Sequence, residues 1–417
     1  MTDSGQGWHH RETCRICGGK DLVMFLDFGY MPLAGGFIRK EDFAKEGSFP
    51  LRIYFCRTCK EVQTLDVVEK EVLFKDYRFL SSVTKTLSQH FEQYAREAKA
   101  ELGLDGSSLV VEFGSNDGVL LRPFMDIGIK AVGVEPAANI AVVAVRRGCT
   151  VVNDFFNERV VETIIKEHGK ADMVCGNNVF AHIDDMHEMM RAIKLMLKDD
   201  GAFVFEVHYL QDLLETYQYD MIYHEHMMYH SLTALSYLLG LFGMEAFDVK
   251  RVPIHSGSIR VYAKNKSSGK HAVKPTIGQM LAAERSYGLD KEETFFKFAA
   301  AVRDKRDKLR QMILSFKADG KRIAGYGASG RASVHLSFCG LGPDVIDYIV
   351  DASPERYGRF TPGTHVPIVK PEVLQTDTPD FMVLFAWNYE QEVLRKEDAY
   401  RKRGGKFIIP LPEPKIV

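Results

Sequence analysis

The chain has 417 residues, of which 46% are hydrophobic and 26% charged, the balance of an ordinary folded protein in water. Lys and Arg number 54 against 56 Asp and Glu, a net charge of -2, so no basic surplus points to nucleic acid or to an anionic membrane. At ~150 residues per domain, this length suits two or three domains. The opening "MTDSGQGWHH" has no basic segment followed by an apolar core, and no apolar run reaches the ~18 residues of a membrane span. The cytoplasm is therefore the expected location. No repeat of fixed period and no low-complexity tract is present.

Four of the seven cysteines form two CxxC pairs, Cys14 with Cys17 and Cys56 with Cys59. Each pair offers two thiolates on one tight turn, and two such turns make a tetrahedral four-sulfur site for Zn2+. Such a site is closed, so the metal is expected to be structural. Short strands at "LVMFLDFG" and "LRIYFC" fill the gap between the pairs. Cys149, Cys175 and Cys339 stand alone and read as buried apolar residues. This zinc-binding module is taken as residues 1–75.

"SLVVEFGSNDGVLLRPF" reads as strand, glycine-containing turn and helix start. Only Gly114 and Gly118 are present, so it is not the three-glycine dinucleotide pattern. The next strand, "KAVGVEP", ends in Glu135, where an acid can accept both hydroxyls of a ribose. Further strands run to Asp154, Val179 and Tyr209, separated by helical stretches, and a late pair, "MEAFDVKRVP" and "SIRVYAKN", can form a hairpin. Five parallel strands with an antiparallel end resemble the seven-stranded sheet of class I S-adenosylmethionine methyltransferases. On that reading Gly114 gives close backbone approach to the cofactor. Asn116 and Asp117 bond its amino-acid tail, Glu135 its ribose, Asp154 and Phe155 its adenine, and Asn177 lies near the sulfonium. This domain is assigned 76–268.

A helical linker, 269–318, leads to a second α/β unit, 319–417. There "KRIAGYGASGRASVHL" carries Gly325-x-Gly327-x-x-Gly330 between a strand and a helix, and Asp351 ends a strand about 20 residues on, as a Rossmann unit requires. The helix N-terminus offers N–H groups to a diphosphate. Two ligands compete: a nicotinamide dinucleotide, which would make the chain a dehydrogenase, or a nucleotide-sugar. The middle domain already supplies a cofactor site, which favours the nucleotide-sugar. Gly327, Ser329 and Arg331 are candidates for its phosphates, with Asp351, Asn388 and Tyr389 at the same sheet edge.

"MIYHEHMMYH", 221–230, holds three histidines, two tyrosines and a glutamate. Met228 stands where the H-E-x-x-H metal motif needs histidine, so proton transfer is favoured over a metal. If the stretch is extended, Tyr223 and Glu225 share one side and His224 and His226 the other. If it is helical, His226 pairs with His230.

The order of a zinc module, a methyltransferase domain and a Rossmann-like unit is unusual. Together with "CRIC…CRTC", "DYRFLSS", "EFGSNDG", "GNNVFAHI", "YHEHMMYH", "HSGSIRVY" and "GYGASGRAS", it resembles the sugar C-methyltransferases of deoxysugar biosynthesis over nearly the whole chain. Within that family it is most similar to those of the D-tetronitrose branch. The resemblance implies S-adenosylmethionine in the middle domain and a dTDP-linked 4-keto-deoxysugar against the C-terminal one. The implied reaction is methylation at C3 of dTDP-3-amino-2,3,6-trideoxy-4-keto-D-glucose. It makes His226 the catalytic base, with Tyr77, His182, Tyr223 and Glu225 as neighbours. Glu225 is expected to orient or charge-balance His226. An NAD-dependent nucleotide-sugar oxidoreductase using the C-terminal glycine motif is the alternative. The sequence is silent on oligomeric state and compatible with a monomer.

Overall fold

The computed structural model describes residues 7–69, 73 and 85–417; Tyr77 and the "DYRFLSS" motif lie outside the described residues. Near the N-terminus, β1 (Trp8–His10) pairs with β5 (Asp66–Val68). Between them β2 (Leu22–Pro32), β3 (Ser48–Cys56) and β4 (Val62–Thr64) run antiparallel. Two register shifts in β2, between Met24 and Leu26 and between Asp27 and Tyr30, break its inside–outside alternation.

The middle sheet is built from β6 (Leu109–Phe113), β7 (Lys130–Val134), β8 (Thr150–Val152), β9 (Ala171–Asn177) and β10 (Leu197–His208). A two-residue strand, β11 (Met228–Tyr229), then leaves this sheet, before β12 (Met244–Val252) and β13 (Ser258–Asn265) complete it. The order is β12-β13-β10-β9-β6-β7-β8, with β13 antiparallel to both of its neighbours, β10 and β12. All five residues of β6 are buried, as a central parallel strand covered on both faces must be. Helices Glu158–His168, Met186–Met196 and Leu232–Leu241 cover one face; Lys85–Leu102, Leu121–Asp126 and Ala138–Arg146 cover the other.

After helices Pro275–Tyr287 and Glu292–Ala318 comes a second sheet. Its strands are β14 (Ile323–Tyr326), β15 (Ile349–Val350), β16 (Ile368–Val369), β17 (Phe381–Leu384), β18 (Lys406–Ile409) and β19 (Lys415–Ile416). They lie in the order β16-β15-β14-β17-β18-β19, parallel except for β19. The fold class is thus α/β as read from the sequence, with a small β module in front. Among the described residues no helix is long and apolar enough to cross a membrane.

Two sets of contacts join these parts around one segment. Helix Glu292–Ala318 places Phe295 and Phe298 in a core shared with Phe25 and Phe55 of the N-terminal sheet, Leu213 of the middle domain and Val334 of the C-terminal one. Beside that core, the fully buried Asp220 accepts from Trp387 Nε1 at 2.8 Å and lies 3.3 Å from His335 Nε2 and 3.9 Å from Arg331. Burial alone would raise its pKa, but Arg331 and His335 outweigh it and hold the carboxylate below its ordinary value. On the other side, β11 pairs with β4, Thr64 N–H donates to Met227 O at 2.9 Å, and Met227 N–H donates to Ala181 O at 2.8 Å. The segment 218–229 is therefore fixed by all three sheets.

Candidate active site

The sulfur atoms of Cys14, Cys17, Cys56 and Cys59 lie within 4.8 Å of one another, and all four cysteines are free of disulfides. Each CxxC turn is closed by backbone bonds, Gly18 N–H to Cys14 O at 3.0 Å and Lys60 N–H to Cys56 O at 2.9 Å. Gln63 Nε2 donates to Cys14 Sγ at 3.0 Å and Ile16 N–H to the same sulfur at 3.4 Å, as partners of a metal-bound thiolate do. Four converging thiolates in a closed setting fit a structural zinc ion. Cys149, Cys175 and Cys339 are buried apart from it.

The cofactor residues expected from the sequence gather at the C-terminal edge of the middle sheet. Gly114 has φ +63°, but a Cβ there would meet Val179 Cγ2 at 2.8 Å, so its open side is filled by protein. Asn116, also left-handed at φ +48°, donates its N–H to Glu135 Oε2 at 2.9 Å. Ala137 N–H donates to Glu135 Oε1 at the same distance. Burial raises the pKa of Glu135 and these two donors pull it back. Each carboxylate oxygen keeps a further lone pair for a ribose hydroxyl. Asp117 is fully buried and paired with Arg147 Nη1 at 2.9 Å. Asp154 pairs with Arg159 and accepts from Phe155 N–H at 2.8 Å, while the Phe155 ring is 45% exposed and offers a stacking face. Asn177 donates to the buried Glu112 at 3.4 Å.

The stretch 221–230 is neither extended nor helical at its centre: it is a turn, closed by His226 N–H on Tyr223 O at 2.9 Å. That fold pairs His226 with Tyr223 instead of His230, which faces Glu61 at 3.2 Å. His226 Nδ1 lies 2.9 Å from the Met221 carbonyl, which can only accept, so Nδ1 carries the proton and Nε2 the lone pair. The Tyr223 hydroxyl donates to that Nε2 at 2.9 Å. Both ring nitrogens are thus occupied, and the orienting role expected of Glu225 belongs to a backbone carbonyl. Burial pushes Glu225 up to about 7 and His182 down to about 4. His182 packs against His226 with ring centres 5.1 Å apart. Burial also lowers His226 well below its ordinary value, and His182, His208 and His255 add to the effect. A neutral imidazole with its lone pair fixed at Nε2 is the protonation state a general base requires.

His208, His255, Gln218 and Asp220 were not singled out from the sequence. Each sits alone in an ordinary-looking segment, and only folding assembles them. Gln218 Oε1 accepts from His208 Nε2 at 3.3 Å and from Arg331 Nη2 at 3.1 Å.

The C-terminal glycine motif holds two of its candidate residues in contacts with protein. Arg331, read as a phosphate ligand, is 9% exposed and turned inward: it bonds Gln218, Ser256 Oγ at 3.2 Å, Asn388 Oδ1 at 3.3 Å and Met221 Sδ at 3.0 Å. Asp351, read as a ribose ligand, accepts from Ala328 N–H and Ser353 N–H, both at 2.7 Å, and pairs with Arg356 at 3.2 Å. Its oxygens serve the turn itself. Gly327 has φ +89°, and Ser329 precedes helix Gly330–Cys339 without capping it. Tyr389 is 43% exposed at the same edge. A side chain at Gly330 would touch the Tyr223 ring at 3.9 Å, so the glycine turn abuts the 221–230 stretch.

Three family models cover the chain in sequence: "Putative zinc binding domain" over 14–74, "Methyltransferase domain" over 87–248 and "C-methyltransferase C-terminal domain" over 253–412. The C-methyltransferase NovU of Streptomyces niveus is 39% identical over 407 residues, 97% of either chain. The chain belongs to the C-methyltransferase family. A shorter similarity, 25% identity over 125 residues, is to a ubiquinone biosynthesis O-methyltransferase of Methylobacterium nodulans, covering 30% of this chain and 49% of that protein. Among solved structures, the glycopeptide N-methyltransferase MtfA complexed with S-adenosylmethionine matches 42% of this chain and 93% of its own, at 13% identity and a TM-score of 0.34. This C-methyltransferase uses S-adenosylmethionine as methyl donor and holds structural zinc at its four cysteines. Nothing supports the oxidoreductase alternative.

The zinc site should hold β11 through β4. In a Cys56→Ala variant, amide hydrogen exchange at Met228 and Tyr229 is expected to accelerate by on the order of tenfold or more, with β6 amides still protected. Unchanged exchange in β11 would contradict the coupling.

Proposed function

We propose that this C-methyltransferase methylates C3 of a dTDP-linked 4-keto-deoxysugar, with dTDP-3-amino-2,3,6-trideoxy-4-keto-D-glucose as the substrate to try first. The observation that carries this reading is the Tyr223–His226 pair, held between the middle sheet's C-terminal edge and the glycine turn at Gly330. A sugar at that pair can extend its diphosphate along the turn, where Gly327, Ser329, Asn388 and Tyr389 lie. Helix Gly330–Cys339 presents its N–H groups there.

Carbon becomes a nucleophile only as an enolate. When bound, S-adenosylmethionine supplies an electrophilic methyl group. The chain's own part is to take the C3 proton, hold the charge that moves onto O4 and align the carbon. His226 takes the proton at Nε2, once the Tyr223 hydroxyl swings from that nitrogen toward O4. His182 stands beside the imidazole, and Tyr77 remains a further candidate for O4. Glu225, adjacent in the chain and half-buried, balances the imidazolium that forms. The enzyme acts on a soluble nucleotide-sugar in the cytoplasm, without nucleic acid or membrane.

Mass spectrometry of products from S-adenosylmethionine and a panel of dTDP-4-ketosugars tests the substrate class: a gain of one methyl on a sugar carbon is expected. His226→Asn should lower kcat by about 100-fold or more while leaving S-adenosylhomocysteine binding intact; retained turnover would remove His226 as base. The anion of Glu225 exists above about pH 7, so kcat/KM should rise with pH through that value. Glu225→Gln should abolish this limb, lower the plateau and leave a limb at lower pH set by His226; an unchanged profile would exclude charge balance by Glu225.

A further inference from the structure

The β12–β13 hairpin ends in three successive left-handed residues, His255 at φ +51°, Ser256 at φ +67° and Gly257 at φ +118°. Only the last is a glycine. An L-residue in that region costs about 1–2 kcal/mol, so two in a row persist only where the surroundings hold them. The surroundings here are specific. Gln218 Nε2 donates to Ser256 O at 2.9 Å, Arg331 Nη2 to Ser256 Oγ at 3.2 Å, and Tyr209 N–H to Gly257 O at 3.1 Å. A Cβ at 257 would lie 2.2 Å from Asp212. The tip is clasped by the same glutamine and arginine that border the Met221–His226 turn.

This clasp sets the half-buried His255 next to the Gln218–Arg331 pair. Gln218 bonds both Ser256 O and His208, and Arg331 bonds both Ser256 Oγ and Met221 Sδ, so residue 255 sits beside His208 and the Met221–His226 turn. His226, His208 and His90 all hydrogen-bond a neighbour through a ring nitrogen. His255 makes no hydrogen bond among the described residues. Burial, helped by Arg331 and His90, outweighs the opposing Glu206 carboxylate and lowers its pKa to about 4, so the ring is neutral near pH 7 and carries one N–H. A neutral imidazole of this kind is an effective donor to a developing oxyanion.

We propose that His255 is a catalytic residue whose ring N–H donates to the ketone oxygen beside the carbon that loses its proton. The inference rests on the ketosugar reading above. The C–H bond breaks, its proton goes to His226 Nε2, and its electrons move through the carbon–carbon bond onto the oxygen. His255 hydrogen-bonds that oxygen without releasing its own proton. The electron pair then returns, the carbonyl re-forms, and the carbon bonds the methyl group as the methyl–sulfur bond of S-adenosylmethionine breaks, its electron pair staying on the sulfur of the departing S-adenosylhomocysteine.

The test compares wild type, His255→Asn and His255→Gln on the dTDP-4-ketosugar that the wild type methylates. Asn tolerates the left-handed backbone but falls short of the ring's reach; Gln restores a longer donor. His255→Asn is expected to lose about 100-fold in kcat, with KM and S-adenosylhomocysteine affinity by calorimetry within about threefold of wild type. His255→Gln should recover at least part of that loss. A kcat for His255→Asn within about threefold of wild type overturns the proposal. So does an equal loss in both variants accompanied by weaker S-adenosylhomocysteine binding or a lowered Tm, the signature of a merely structural residue. A wild type that methylates no member of the ketosugar panel removes the substrate reading and this proposal with it; an active wild type with an equally active His255→Asn removes this proposal alone.

Discussion

One backbone carbonyl decides the chemistry of this protein. Met221 O takes the Nδ1 proton of His226 at 2.9 Å and so leaves Nε2 as the acceptor. A backbone acceptor cannot titrate and cannot swing away, so the tautomer is fixed as long as the turn keeps its shape. The rest of the molecule can be understood as the support of that turn. Arg331 touches the Met221 side chain and Gln218, Asp220 ties the same segment to Trp387 and His335, and the zinc module's sheet pairs with it through β11. The supports come from both the N-terminal and the C-terminal units, which gives a physical reason for joining them to the middle domain in one polypeptide.

The electrostatics follow from the same crowding. Burial holds His182, His226 and His255 neutral, and neighbouring imidazoles or the Arg331 guanidinium add to it for His226 and His255. Neutrality suits a base and an uncharged donor alike. On the proposed mechanism, a proton taken from carbon would create the first new cation among these imidazoles, with the neighbouring Glu225 carboxyl raised to about 7. Protonation and charge development are therefore coupled in the direction the reaction needs.

Much of this was legible in the sequence because it depends on local patterns. Two CxxC turns announce a zinc site, and alternating strands and helices with Glu135 at a strand tip announce the middle sheet and its ligand edge. Residues whose role is set by long-range contacts were less legible. Nothing near Arg331 in the chain shows that it points into another domain, and nothing near Asp351 shows that Ala328, Ser353 and Arg356 surround its carboxylate. The shape of 221–230 could not be read from periodicity, because a turn fixed by outside contacts has no period of its own. His255 carried one faint signal: a histidine directly before Ser-Gly at a hairpin tip, where left-handed backbone is common.

The central claim is that His226 takes a proton from carbon in a step separate from methyl transfer. It is tested most directly by incubating the ketosugar with enzyme in deuterium oxide without S-adenosylmethionine, and following the C3 position by NMR. Wild type should exchange that hydrogen for deuterium, and His226→Asn should not. Exchange at the wild-type rate in His226→Asn would contradict the account.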